Sequence, residues 1–218
     1  MTITIKYIDN VEHTYNAFDD ILQLDNYNDI IYIKCTGNRL SYLPELPNSL
    51  QVLWCNYNNL SSLPELPNSL ERLWCANNNL SVLPELPNLT ELLCPYNKIS
   101  KLPELPNSLK YLHCSNNNIS NLPKLPNSLK TIFCHENSLS SLPELPHSLN
   151  HMNYDSNPIY THIENYFNGV LKNYFEYQKK MKREFANKIG NWFLDCKYNP
   201  KYLYCRKILM KEYEELYN

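Results

Sequence analysis

The chain of 218 residues is 43% hydrophobic and 19% charged, a balance that excludes wholesale disorder. Its three glycines argue against phosphate-cradling loops, which need backbone positions that only glycine takes without strain. The net charge of −2 points by itself to neither nucleic acid nor a membrane surface, but it divides unevenly: residues 1–157 carry 9 Lys+Arg against 15 Asp+Glu, and residues 158–218 carry 11 against 7.

From Met1 to Ile8 polar and apolar residues alternate, without the long apolar core of a signal peptide, which predicts a strand over Thr2–Ile8. A short helix is expected around Ala17–Leu22, and residues 1–29 together read as an N-terminal cap. No uninterrupted apolar run approaches the roughly 18 residues that a membrane-spanning helix needs, so membrane insertion is not expected and a cytoplasmic protein is.

From residue 30 the chain repeats itself. Cysteines stand at 35, 55, 75, 94, 114 and 134, a spacing too regular for a disulfide code and diagnostic of a repeat. Around Cys55 the unit runs Leu50, Leu53, Cys55, Asn58, Leu60, Leu63, Pro64, Glu65, Leu66, Pro67, and units starting at Ile30, Leu70, Leu89, Leu109 and Leu129 follow the same template. A seventh, starting at Leu149, is degenerate, with Tyr154 in the cysteine position and Asn157 in the asparagine position.

This L-x-x-L-x-C-x-x-N-x-L pattern, six times in register, resembles the leucine-rich repeat. The Leu-Pro-Glu-Leu-Pro-Asn-Ser-Leu wording is similar to the short repeats of secreted bacterial effectors of the Yersinia outer-protein and Shigella invasion-antigen types. The abundance of Asn, Tyr and Lys also resembles repeat proteins of AT-rich giant viruses of amoebae. The resemblance covers residues 30–159 and implies a leucine-rich-repeat solenoid: a parallel β-sheet horseshoe with an extended, polyproline-like convex side. For a viral or effector-like protein it implies the cytosol of a host.

The residues lead to the same fold by a separate route. Leu50, Leu53 and Cys55 are expected to point inward from a short strand, Asn58 to turn the chain and satisfy backbone groups the turn leaves unpaired, and Leu60 and Leu63 to return to the core. Pro64 and Pro67 favour extended backbone, so the outer wall should hold no helix. One coil cannot bury enough to fold alone, so stability must come from stacked neighbours and both ends need caps.

Beyond Pro158 the period becomes helical. Ile163, Tyr166, Phe167, Val170, Leu171, Tyr174 and Phe175 form one stretch, and Phe185, Ile189, Trp192, Phe193 and Cys196 a second. Asn199-Pro200 reads as the start of a last helix carrying Cys205, Ile208, Leu209 and Leu216. Residues 160–218 are thus expected to be a small helical C-terminal region that caps the array.

Candidate chemistry is sparse. The ladder of Cys35, Cys55, Cys75, Cys94, Cys114 and Cys134, with Asn38, Asn58, Asn78, Asn97, Asn117 and Asn137, is read as structural: parallel side-chain vectors oppose disulfides, no zinc-site spacing occurs, and buried thiols favour a reducing compartment. No metal and no cofactor is expected. The effectors that the chain resembles often carry a ubiquitin-ligase domain with a Cys-x-Asp motif after the repeats. Here Cys196 is followed by Lys197-Tyr198 and Cys205 by Arg206-Lys207, and residues 160–218 are too few for that domain, so no catalytic residue is assigned and the protein is not expected to be an enzyme.

His113 and His135, in neighbouring coils, read as surface histidines rather than a proton-transfer pair. Glu45, Glu65, Glu85, Glu104 and Glu144, interrupted by Lys124, read as a solvated acidic wall, and the run from Lys179 to Arg183 as a solvated basic helix face.

The position before each ladder cysteine should face outward from the concave sheet, and it holds Lys34, Trp54, Trp74, Leu93, His113 and Phe133. Neighbouring outward positions add Tyr32, Val52, Arg72 and Tyr111, and beyond the cysteine Tyr57 and Tyr96. Such rings can simply stack between coils. Aromatics and Arg in an exposed stripe also mark interaction surfaces. Tyr32, Trp54, Tyr57, Arg72, Trp74, Leu93, Tyr96, Tyr111, His113 and Phe133 are therefore the candidate protein-binding residues of a protein expected to be a monomer that scaffolds a partner protein, nucleic acid not being an expected partner. The alternatives are an adaptor whose helical tail recruits a second factor such as ubiquitination machinery, and an enzyme using Cys196 or Cys205.

Overall fold

A computed structural model describes residues 2–198 of the chain, with side chains through residue 190. It divides into two compact units, residues 1–162 and 163–218.

The first unit is built on one sheet of nine strands. A hairpin of β1 (Ile3–Lys6) and β2 (Glu12–Tyr15) precedes a short helix α1 (Phe18–Leu22) and a single 3₁₀ turn at Tyr27–Asp29. Seven strands of three residues follow, one per coil: β3 (Tyr32–Lys34), β4 (Val52–Trp54), β5 (Arg72–Trp74), β6 (Glu91–Leu93), β7 (Tyr111–His113), β8 (Thr131–Phe133) and β9 (His151–Asn153). They are parallel and in register, Leu53 against Leu73 and Trp54 against Trp74, while β1 pairs antiparallel with β3 and with β2, which forms the edge strand. The walls between the strands carry neither helix nor strand, as the paired prolines predict. The fold is a leucine-rich-repeat solenoid.

The core is a set of stacked lanes. Leu50, Leu53, Cys55 and Leu60 are fully buried, as are their counterparts Leu70, Leu73, Cys75 and Leu80 in the next coil. Leu63, expected to point back inside, is only half-buried, although its equivalents Leu43, Leu83, Leu102, Leu122 and Leu142 are buried.

Turning the chain after each strand requires a left-handed residue two positions past the ladder site: Gly37, Tyr57, Asn77, Tyr96, Asn116, Glu136 and Ser156, with φ between 52° and 73°. For the side-chain-bearing members this conformation is strained, and inter-coil hydrogen bonds hold it, as from Tyr57 N–H to Ala76 O at 2.9 Å.

The asparagine one position further ties each coil to the one before it. Asn78 Oδ1 accepts from Leu60 N–H at 3.0 Å, and its Nδ2 donates to Cys55 O at 3.0 Å and Cys75 O at 3.1 Å. Asn58, Asn97, Asn117, Asn137 and Asn157 repeat this arrangement, so the degenerate coil keeps the linkage although Tyr154 replaces the thiol. Asn38 differs because no coil precedes it: its amide pairs with the Thr2 backbone, accepting at 2.8 Å and donating at 2.7 Å.

A lane of hydroxyls adds a second tie that sequence reading missed, Ser69, Ser108, Ser128 and Ser148 each closing a circuit by donating to the carbonyl of the leucine that begins the same repeat unit.

The helical region differs from the expected segmentation. α2 (Pro158–Phe167) ends where Asn168 and Gly169 turn left-handed (φ 51° and 70°), and Gly169 N–H returns to Ile163 O at 3.2 Å. This C-terminal cap splits the first apolar stretch in two. α3 (Leu171–Tyr198) then runs unbroken through the second. The helix expected from Asn199 lies outside the described residues.

Candidate functional site

The sheet's solvent face is assembled by alternation and by one repeated irregularity. In β4, Leu53 is buried while Val52 and Trp54 point to the other side. Just before the strand, the N–H groups of Gln51 and Val52 both donate to Ile31 O, at 2.8 and 3.1 Å, and Lys110 and Tyr111 do the same to Thr90 O. Such a bulge turns two successive side chains outward, so each coil presents three positions instead of two. From β3 to β8 every strand is paired on both sides, which leaves side chains to give this surface its character.

The lane directly before the ladder cysteines reads Lys34, Trp54, Trp74, Leu93, His113, Phe133. Trp54 and Trp74 lie face to face, ring centroids 4.4 Å apart and planes 7° apart. Tyr32 meets Trp54 edge-on at 5.4 Å, and Lys34 Nζ stands over the Trp54 ring at 5.8 Å. Both indole nitrogens are buried without a hydrogen-bond partner. The stack therefore offers ring carbons and edges to solvent, with no N–H to donate. Leu93 interrupts the rings, and a second group follows in which Phe133 touches Tyr111 (5.8 Å), His113 (5.3 Å) and His151 (5.0 Å).

The structure thus brings Tyr32, Val52, Trp54, Arg72, Trp74, Leu93, Tyr111, His113 and Phe133 onto one face. Tyr57 and Tyr96 stand apart at the left-handed turns, 63% and 55% exposed. Gln51, Glu71, Lys110 and Lys130 were missed as members of the face, because strict alternation ignores the bulge. His151 was missed because its coil departs from the template.

The six ladder thiols are free and buried. Burial pushes Cys35, Cys94 and Cys134 up to about 12, and Cys55, Cys75 and Cys114 well above the ordinary value. Held as neutral thiols, they are poor nucleophiles and poor metal ligands. Among the described residues no group of three His, Cys, Asp or Glu is placed to hold a metal. Cys205 lies outside the described residues and the Cys196 side chain outside the described side chains. Glu45, Glu65, Glu85, Glu104 and Glu144 are exposed on the outer wall, and Lys179, Lys180, Lys182 and Arg183 are exposed on α3. No helix among the described residues is long and apolar enough to cross a membrane.

His113 gives the face a pH response. Burial, and secondarily the neighbouring His135, hold its imidazole below the ordinary 6.5, while its Nε2 lies 2.8 Å from Ser115 Oγ. With the folded value depressed, the unfolded chain takes up this proton first, so the contribution to stability is full above pH 6.5 and is lost as the pH falls below it. His113→Gln should flatten the decline of the thermal midpoint across that window. An unchanged decline would remove His113 as its source.

The lanes of Leu, Cys and Asn define a leucine-rich-repeat solenoid, and the solved structures it is similar to include repeat domains of bacterial effectors. It is similar to YopM from Yersinia enterocolitica WA-314, with 39% identity, TM-score 0.54, and coverage of 55% of this chain and 27% of that one. A Shigella effector leucine-rich-repeat domain is similar at 38% identity and TM-score 0.56, covering 58% of this chain and 59% of that one. YopM from Yersinia pestis, described as a leucine-rich effector protein, gives 36% identity and TM-score 0.50, covering 58% and 43%. The chain thus spans less than two thirds of each of these. No protein-family model matches the sequence, and neither does any curated protein.

Proposed function

We propose that the chain is a non-catalytic scaffold that holds a partner protein on its concave face, with Trp54 and Trp74 as anchors and Arg72, Tyr111 and Phe133 in support. The observation that carries this reading is the row of half-exposed rings on a sheet whose core is already filled by leucines and whose backbone is already paired. A surface built this way costs exposed apolar area that packing does not require, and large aromatic side chains supply contact area at little conformational cost. The likeness to bacterial effector repeats supports the scaffold class. The unpaired, buried thiols support a reducing compartment: the cytosol, and a host's cytosol for an effector.

The test is a chain carrying Trp54→Ala and Trp74→Ala, checked for retained fold by circular dichroism and used beside the wild type to co-precipitate proteins from cell extract. Loss of two central anchors should weaken capture by about 30-fold or more, as hot-spot truncations of about 2 kcal/mol or above imply. Undiminished capture by the folded variant would refute the site.

A further inference from the structure

The concave-face reading leaves the partner's chemistry open, and the distribution of charge over this unit narrows it. The outer wall is a ladder of exposed glutamates at positions 45, 65, 85, 104 and 144, broken only by Lys124. The sheet face has the opposite character. Its three outward positions per coil carry Lys34, Arg72, Lys110 and Lys130 against Glu71 and Glu91, although residues 1–157 as a whole are net acidic. In the last three coils these positions hold Lys110, Tyr111 and His113, then Lys130, Thr131 and Phe133, then Asn150, His151 and Asn153, and the carboxylate that follows, Asp155, lies in the last coil at the position of Ser115 and His135.

Here the bulge matters. It places Lys110 and Lys130, both exposed, on the face instead of inside. Their backbones are linked directly, Lys130 N–H to Lys110 O at 2.9 Å, so two exposed lysines stand in adjacent coils, Lys110 one residue before the ring of Tyr111 and Lys130 three before that of Phe133. Like charges in adjacent coils of one lane, flanked there by Thr90 and Asn150 with Glu71 a further coil away, favour an anionic occupant.

The ring geometry agrees. Trp54 and Trp74 each cover one face of the other and their N–H groups are buried, so the pair offers ring carbon, electropositive at its edges, and no donor of its own. Trp74 and Phe133 lie three coils apart, about 14 Å at the usual strand spacing. An extended segment covers that distance in about four residues.

We propose that the concave face takes an extended acidic segment of its protein partner, an apolar side chain resting on Trp74 and Leu93 and carboxylates reaching Lys110 and Lys130. This rests on the concave-face reading and deepens it. A protein segment fits better than a nucleic acid, because the face sets few cations among large apolar surfaces and keeps Glu71 and Glu91 beside Arg72.

The test uses fluorescein-labelled peptides of equal length, one built from Glu and Phe and one from Lys and Phe, and a labelled single-stranded oligonucleotide, titrated with the full chain and followed by anisotropy. The Glu/Phe peptide should bind more tightly than the Lys/Phe peptide by about tenfold or more. Lys110→Glu with Lys130→Glu, both exposed and away from the core, should reverse that preference, and added salt should weaken the wild-type complex. Tighter binding of the Lys/Phe peptide or of the oligonucleotide, or a preference indifferent to the double charge reversal, would overturn the acidic assignment. If the Lys/Phe peptide binds better and Trp54→Ala with Trp74→Ala abolishes it, the acidic class fails while the concave face stands. If no probe binds, the acidic class also fails, and the extract experiment decides the face independently.

Discussion

Asn117→Ala should lower the stability of the protein by roughly 2–6 kcal/mol, a large part of what a typical domain has to lose. Asn117 Oδ1 is the acceptor for Ile99 N–H at 2.9 Å, and its Nδ2 donates to Cys94 O at 3.0 Å and Cys114 O at 3.2 Å. The two carbonyls each keep a second donor, from Asn97 and Asn137 respectively. The Ile99 N–H loses its side-chain acceptor in the interior, and a buried unpaired donor is the costliest part of the change. Asn117→Asp sharpens the test, because it keeps an acceptor for Ile99 but sets a carboxylate oxygen against two carbonyls. Asn79, exposed in the neighbouring lane, is the control, and its replacement by Ala should cost about 0.5 kcal/mol or less. Denaturant midpoints measure all three. A loss for Asn117→Ala no greater than for Asn79→Ala would mean that the asparagine lane does not hold the coils together.

The second large effect is expected in alkali. Burial raises Cys35, Cys94 and Cys134 from 9.0 to about 12 and holds Cys55, Cys75 and Cys114 well above 9.0, so the folded chain holds protons that the unfolded chain releases. The sign follows from linkage: stability is fully present below pH 9 and is lost as the pH rises through the window to about 12. A proton mismatch of one costs about 1.4 kcal/mol per pH unit, so six thiols together remove about 8 kcal/mol per unit once the unfolded chain is fully ionised. Circular dichroism should therefore report cooperative unfolding soon above pH 9, coincident with the rise of thiolate absorbance. Cys75→Val with Cys114→Val should move the transition to higher pH. Ionisation of the ladder thiols without unfolding, or no shift in the double variant, would contradict the burial that defines the core.

Much of the solenoid could be read from the chain because its restraints are periodic. Leu50, Leu53, Cys55 and Asn58 recur at fixed spacing, and fixed spacing in a stacked coil means fixed depth. What escaped reading lacks a side-chain period. The strand Glu12–Tyr15 has three exposed residues and one half-buried, and it forms through backbone pairing with β1, which leaves no apolar alternation to detect. The bulge that exposes Lys110 and Lys130 is likewise a backbone event. Gly169 was overlooked as a helix end because Phe167, Val170 and Leu171 keep helical spacing across it. As for the candidate face, the outward lane was legible position by position, but the sequence held nothing to tell that Trp54 and Trp74 would lie flat on one another with their nitrogens turned inward. Ring orientation depends on the neighbouring coil.

The fourth coil carries a consequence for how such a protein can change. Cys75 and Cys94 are one residue closer than their counterparts, and the missing residue falls between Asn88 and Leu89, where Leu89 N–H bonds Pro87 O at 2.8 Å instead of reaching three residues back as Leu70 does to Pro67. The sheet is untouched: Trp74 still faces Leu93, and Leu73 still faces Leu92. A residue can therefore be lost from the link between two coils, just ahead of a strand, without throwing the inner stripe out of frame.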